Sequence, residues 1–165
     1  MTAGFVPPPY PYDRLRRLDP VTAAHPGGTV DLSIGTPFDP PPPGVLEALS
    51  GSGTERAYPP SIGSPALRDA ASRWIARRFG LEVASAQIGA TIGTKEFVGT
   101  LPQWMALRDP SRDTVLYPAI SYPTYEMGAT LAGCRAVAIP ARPGGGLDLD
   151  SVSDEDAERA LLLWV

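Results

Sequence analysis

The chain has 165 residues, 43% of them hydrophobic, enough for one domain with a real core. Its net charge of -4 is uneven: residues 1–82 balance eight acids with eight bases, whereas residues 83–165 carry ten acids and six bases, and no basic face for nucleic acid emerges. No stretch approaches the ~18 apolar residues of a membrane span, and the N-terminus has no apolar core ahead of a cleavage site, so a soluble, cytoplasmic protein is expected.

In chain order, residues 1–30 are rich in proline and glycine and lack periodicity, which predicts an extended arm. "TVDLSIG" alternates like a short strand ending at Gly35, and "TPFDPPPPG" cannot be helical because proline fixes φ and removes a donor. "GVLEALS" reads as a brief helix. "SIGSPALRDAASRWIARRFG" is the strongest helix signal, with Ser64 as N-cap, Pro65 at the first position and Gly80 as the stop. Leu67, Ala71, Trp74, Ile75 and Phe79 form its expected buried face.

The texture then alternates. "QIGATIG" reads as a strand, "TKEFVGTLPQWMALRD" as a helix disturbed at Pro102, and "DTVLYP" as a strand. "YPTYEMGATLAG" reads as a helix begun by Pro123 and ended by Gly133, "CRAVAIP" as a strand, "SVSDEDAERA" as a short helix with an acidic start, and "LLLWV" as a last strand. Apolar strands alternating with helices predict an α/β fold with a mostly parallel sheet covered by helices. The six acids between Asp148 and Glu158 fit a solvated loop and helix start. The chain stops inside an apolar run, which reads as part of a longer protein.

Lys95 is the only lysine, set in "IGTKEF" at a strand-to-helix turn. Helix N-termini at the carboxyl ends of parallel strands present free N–H groups; Gly93 allows close approach, Thr94 adds a hydroxyl and Lys95 either adds charge or covers the rim. Taken alone, the stretch is a capped turn as readily as an anion site. It is not a P-loop: three residues separate Gly89 from Gly93 where four are needed, and Glu96 follows the lysine. The glycines at 89, 93 and 99 also miss the dinucleotide spacing. Tyr122, before the next helix start, is placed either to stack on a flat cofactor or to pack on a neighbouring loop. His25 reads as an exposed loop residue and Cys134 as a buried structural thiol in a reducing compartment; no metal site is assigned.

"DLSIGTPFDPPPPGVLEAL", "AYPPSIGSPALRDAASRWIARRFG", "GTKEF" and "YPAISYPTYEMGATLAGCRAVAIP" together resemble, in order and spacing, the N-terminal half of the fold-type I, pyridoxal-phosphate-dependent class I/II aminotransferases. The resemblance runs from about Asp31 to Val165. Within the family, the likeness is strongest to the branch that acts on N-succinyldiaminopimelate in lysine biosynthesis. It implies an incomplete three-layer α/β/α large domain over residues 31–165, preceded by the arm, in a protein that works as a homodimer on amino acids and 2-oxo acids. It also implies roles for single residues. Gly35 resembles the glycine facing the substrate carboxylate, and Tyr58 the tyrosine that reaches the cofactor phosphate of a neighbouring subunit. Gly93, Thr94 and Lys95 resemble the phosphate cup, and Tyr122 the ring stacked on the cofactor's pyridine.

The departures are as specific. The family's asparagine near the cofactor ring, the aspartate that pairs with the pyridinium nitrogen, the Schiff-base lysine and the arginine that holds the substrate carboxylate have no counterpart in these residues. No catalytic residue is therefore assigned, and the chain alone is expected to be inactive. The alternatives are a non-catalytic half-domain that binds or modulates an aminotransferase subunit, and another fold-type I chemistry such as a lyase or decarboxylase.

Overall fold

Three short segments whose apolar side chains have period two or run continuously, Thr114–Pro118 (β1), Arg135–Ile139 (β2) and Ala160–Leu163 (β3), pair in parallel in the order β2-β1-β3. The structure is a computed structural model and describes residues 5–6, 9–53 and 56–165. The helices among these residues are α1 (Asp19–Ala23), α2 (Pro43–Ser50), α3 (Pro65–Phe79), α4 (Thr94–Arg108), α5 (Thr124–Leu131) and α6 (Asp154–Glu158). None is long and apolar enough to cross a membrane. The described residues form two compact units, one of residues 1–26 with 92–165 and the other of residues 27–91.

In the first unit the register runs from Thr114 opposite Arg135 to Pro118 opposite Ile139, with no slip. On the other side of β1, Thr114 pairs with Ala160 and Val115 with Leu162, so one residue of β3 is passed over. Val115, Leu116 and Ile139 are buried with Val98 and Pro102 of α4 and Ala129 of α5, which puts the core between the sheet and these two helices. The helices cross at Gly128, where a Cβ would come within 3.0 Å of the Val98 and Gly99 carbonyl oxygens. Hydrogen at that position is what lets the backbones approach. Pro102 is accommodated inside α4 and is itself buried.

The amino ends of the strands are closed by ion pairs. Arg159 donates from Nε to Asp113 Oδ1 at 2.8 Å and from Nη2 to Oδ2, and its Nη1 reaches Glu155 at 3.2 Å. Arg135 stands 3.3 Å from Asp156 and 3.8 Å from Glu155. The hydrogen bonds from Arg159 hold the Asp113 carboxyl below the usual carboxylate range, and the same pairing raises Arg159. Ser153 caps α6 by accepting from the Asp156 N–H at 3.1 Å. Cys134 is half-buried rather than fully buried, and desolvation followed by the nearby Asp113 charge pushes its thiol up, which suits an inert side chain.

The N-terminal segment departs from the expected extended arm. Residues 1–4 and 7–8 lie outside the described residues, but Pro11–Leu18 forms a 3-10 helix that runs into α1. Pro11 fixes the first φ, Asp13 sits in the first turn, and Arg16 and Arg17 in the last, with Arg16 3.4 Å from Asp13.

In the second unit α3 has the predicted caps: Ser64 Oγ accepts from the Leu67 N–H at 3.2 Å, and Gly80 ends the helix at φ 68. Its predicted buried face is not buried. Leu67, Trp74 and Phe79 are each more than half exposed, and Ala71 and Ile75 are half-buried, because no layer of described residues in the unit covers that side. Trp74 and Phe79 instead meet edge to face at 5.4 Å. The strands expected at "TVDLSIG" and "QIGATIG" do not form among the described residues. The Ser33 N–H turns back to Asp31 Oδ1 at 2.8 Å, and Ala90 makes one backbone bond, to the Ile62 carbonyl at 3.0 Å. Extended backbone without a partner strand has no ladder to enter.

Candidate functional site

Gly93 begins α4 at φ 79 and ψ 160, outside any strand, in a conformation that favours glycine, and a Cβ there would meet nothing within 4 Å. No side chain caps the helix. Among the described residues the backbone N–H groups of Thr94 and Lys95 have no acceptor, and both side chains are exposed. Free first-turn amides at the positive end of a 15-residue helix form an electropositive mouth. The acid of that turn is directed elsewhere: Glu96 accepts from the N–H of Ile92, the residue before the helix cap.

Tyr122 reaches the same place from β1. The Ala119 N–H extends the ladder past the strand by donating to the Ile139 carbonyl at 2.8 Å, and Ser121 Oγ closes the turn on the Pro118 carbonyl at 2.6 Å. The Tyr125 N–H then bonds the Tyr122 carbonyl at 3.0 Å as the chain enters α5. The result is a half-exposed Tyr122 ring with Lys95 Nζ 5.9 Å from its centroid, within cation–π range. Tyr125 meets Tyr122 edge-on and continues the aromatic series, stacked on Trp164 at 4.8 Å, with Phe97 edge-on to Trp164 at 6.5 Å. Beside them a groove of about 460 Å³ runs along Tyr10, Lys95, Gly99 and Thr100, and Thr124 and Met127 of α5. Its volume lies within the usual small-molecule range.

Four of the sequence-predicted residues, Gly93, Thr94, Lys95 and Tyr122, are therefore brought together at the carboxyl ends of the strands. Gly35 and Tyr58 belong to the other unit, where Gly35 is exposed with open space at its Cβ position and Tyr58 is fully exposed. Tyr125, Phe97 and Trp164 were not singled out in the sequence. The spacing of Tyr122 and Tyr125, three apart at a helix start, was the available signal, but Trp164 shows itself only when β3 is placed against β1.

The group implied by the resemblance pairs a phosphate ester with a flat ring. The donors fit it: two free amides, the Thr94 hydroxyl and the Lys95 ammonium for a dianion, and a half-exposed aromatic face for a ring. None of these four side chains carries negative charge, and the carboxylates nearby, Glu96 and Glu126, line the adjoining groove.

The family described as aminotransferase class I and II matches residues 28–164. A 4-dedimethylamino-4-oxo-anhydrotetracycline transaminase of Streptomyces rimosus is 35% identical over 96% of the chain and 41% of its own length. An LL-diaminopimelate aminotransferase of Desulforudis audaxviator is likewise 35% identical, over the same shares. The crystal structure of an aminotransferase from Neisseria meningitidis superposes with a TM-score of 0.85 at 29% identity, over 96% of this chain and 42% of that one. A probable N-succinyldiaminopimelate aminotransferase of Thermus thermophilus gives 0.70 at 29% identity, over 92% and 40%. The chain thus spans about two fifths of the length of the proteins it matches.

Proposed function

This chain belongs to the class I and II aminotransferase family, which uses pyridoxal 5'-phosphate, and from that premise we propose that Gly93, Thr94, Lys95 and Tyr122 hold the cofactor's phosphate and ring. The observation that carries the reading is the juxtaposition of Lys95 Nζ, 5.9 Å from the Tyr122 ring centroid, with the uncapped start of α4. When bound, the cofactor supplies an electron sink for the α-carbon of an amino acid. The chain's own residues position it. The Thr94 and Lys95 amides and the Thr94 hydroxyl take the phosphate oxygens, the Lys95 ammonium balances their charge, and Tyr122 limits the ring to one plane.

Lys95 is the only lysine of the 165 residues, and its place in the first turn of α4 supports a role at the phosphate. In this reading the chain alone does not transfer amino groups. The complete protein acts as a cytoplasmic homodimer on an amino acid and a 2-oxo acid, with Tyr58 serving the phosphate of the partner subunit and Gly35 the substrate carboxylate. For the amino donor the reading names N-succinyldiaminopimelate. It is supported by the motifs quoted above and by the likeness to the Thermus protein, while the LL-diaminopimelate aminotransferase supports the wider diaminopimelate class.

The test is titration of the purified chain with pyridoxal 5'-phosphate, pyridoxal and inorganic phosphate, followed by borohydride reduction and peptide mapping. Saturable binding of the phosphorylated form, competition by phosphate and no stoichiometric label on Lys95 are expected. Equal affinity for pyridoxal, or full labelling of Lys95 with amino transfer, overturns the assignment. Comparing amino transfer from N-succinyldiaminopimelate, LL-diaminopimelate and glutamate by the product of the complete reading frame tests the donor.

A further inference from the structure

Five side chains form a continuous series of contacts, a circuit that begins and ends on α4, at the carboxyl ends of the strands. Lys95 Nζ lies 5.9 Å from the Tyr122 centroid, and Tyr122 meets Tyr125 edge-on at 6.2 Å and 90°. Tyr125 lies flat on Trp164 at 4.8 Å and 15°, and Trp164 meets Phe97 edge-on at 6.5 Å and 83°. Phe97 returns the circuit to the first turn of α4, two residues from Lys95. Each link joins a different element: α4, the loop after β1, α5 and the end of β3.

The two members farthest from Lys95 are fixed independently of it. The Trp164 backbone N–H donates to the Leu116 carbonyl at 2.9 Å, so the residue is anchored to β1. Its indole N–H is buried with no acceptor, so no hydrogen bond orients the ring. The plane of Trp164 is set by the rings against it, Tyr125 on its face and Phe97 at its edge. Tyr125 in turn presents its ring to Tyr122, which is half exposed and would otherwise have a wide choice of χ1 and χ2.

We propose that Tyr125 and Trp164 are positioning residues that hold the Tyr122 ring at a fixed tilt toward the start of α4. The proposal rests on the reading of Tyr122 as the cofactor-facing ring, since that reading gives the tilt its purpose. Neither residue touches the ligand; both act through Tyr122. Aromatic pairs of this kind contribute enough to change a population about two- to tenfold each. Loss of one therefore loosens Tyr122 without removing the phosphate donors.

The single lysine provides a probe that needs no cofactor. With lysine labelled in ¹³C, the intact chain gives one ε-methylene signal, moved upfield by the Tyr122 ring, and Tyr122→Leu returns it to the free-lysine position. In the full 165-residue chain Tyr125→Leu and Trp164→Leu are expected to lose at least half of that displacement, while Tyr125→Phe and Trp164→Phe, which keep a ring, retain it. Far-UV circular dichroism confirms that each variant is folded, and Tyr125→Met and Trp164→Met, which also remove the ring and are expected to lose the same displacement, carry the test if a leucine variant is not. In parallel, Tyr125→Leu should weaken pyridoxal 5'-phosphate about three- to tenfold and leave the affinity for inorganic phosphate unchanged. An unmoved lysine signal in folded Tyr125→Leu and Trp164→Leu overturns the proposal, as does an equal loss for the cofactor and for phosphate. If the lysine signal responds as expected but the intact chain has no affinity for pyridoxal 5'-phosphate, the circuit stands and the cofactor reading falls.

Discussion

At the amino ends of β1, β2 and β3 the polar groups find one another: Asp113 with Arg159, Arg159 with Glu155, Arg135 with Asp156. At the carboxyl ends, 15 residues of α4 begin with no capping side chain, and the Thr94 and Lys95 amides and the Lys95 ammonium have no acceptor or counter-ion among the described residues. The difference separates two uses of polar side chains within one small sheet. Paired charges and a serine cap close one end, where the chain enters the strands. Unmet donors and a half-exposed ring at the other end are the groups that the proposed cofactor site draws on. Substitutions at the first end should therefore change stability and leave ligand affinity alone, and substitutions at the second should do the reverse.

The largest effect is expected where the two ends share a support. α4 and α5 both begin at the carboxyl end, and their crossing depends on Gly128, where a Cβ would lie 3.0 Å from the Val98 and Gly99 carbonyl oxygens and 3.2 Å from the Gly99 Cα. The obstacle is backbone, which cannot swing aside. Gly128→Ala should cost about 1–3 kcal/mol of stability, measured from urea midpoints, and should weaken phosphate as well by displacing the start of α4. An unchanged midpoint would mean that the helices separate freely and that the site is not held by the crossing.

Asp113→Asn is the next largest and belongs to the amino end alone. Hydrogen bonds from Arg159 lower the Asp113 carboxyl in the folded chain, so its stabilisation is fully present above the ordinary carboxylate range near pH ~4 and is lost as the pH falls through the lowered value. The variant should thus be less stable than the unaltered chain at pH 7, and the gap should close in strong acid. Phosphate affinity at pH 7 should not move. A gap that is the same at pH 7 and at pH ~2 would remove the ion pair as its cause.

The sequence was most informative where local chemistry and long-range pairing agree. Pro65 and Gly80 mark the ends of α3, Pro123 and Gly133 bracket α5, and the three apolar runs at 114, 135 and 160 became β1 to β3 because each has a neighbour to pair with. Where a strand pattern has no neighbour among the described residues, at "TVDLSIG" and "QIGATIG", the chain turns on Asp31 or makes a single bond through Ala90. Alternation states a preference for a half-buried pleat; it cannot supply the partner. The N-terminal arm failed in the opposite direction, since proline richness concealed a helix start at Pro11. The helix start at Gly93 was legible because a glycine ahead of a helical pattern marks a turn, whereas the phosphate role proposed for Gly93, Thr94 and Lys95 came from the family resemblance and not from the turn itself. The circuit through Tyr125 and Trp164 was not legible, because its members come from separate elements and meet only through the register of the sheet.

The smallest expected effect is the most direct measure of how the two ends differ. Lys95 is exposed, makes no ion pair among the described residues and lies beside the amides that would bind the anion first. Lys95→Met keeps the length of the side chain and removes the charge, so the unfolding midpoint should stay where it is. Affinity for inorganic phosphate should fall only about two- to fivefold, because a solvated ammonium adds to a helix terminus that still offers its N–H groups. Salt separates the two contributions. The Debye length is about 8 Å at 0.15 M salt and about 3 Å at 1 M, so the advantage of the unaltered chain over Lys95→Met should shrink as salt is added, once the competing anion is chosen not to enter the site. A difference that persists undiminished in 1 M salt would mean that Lys95 acts through contact with Tyr122 rather than through its charge, and a complete loss of phosphate binding in Lys95→Met would mean that the amides of α4 hold no anion by themselves.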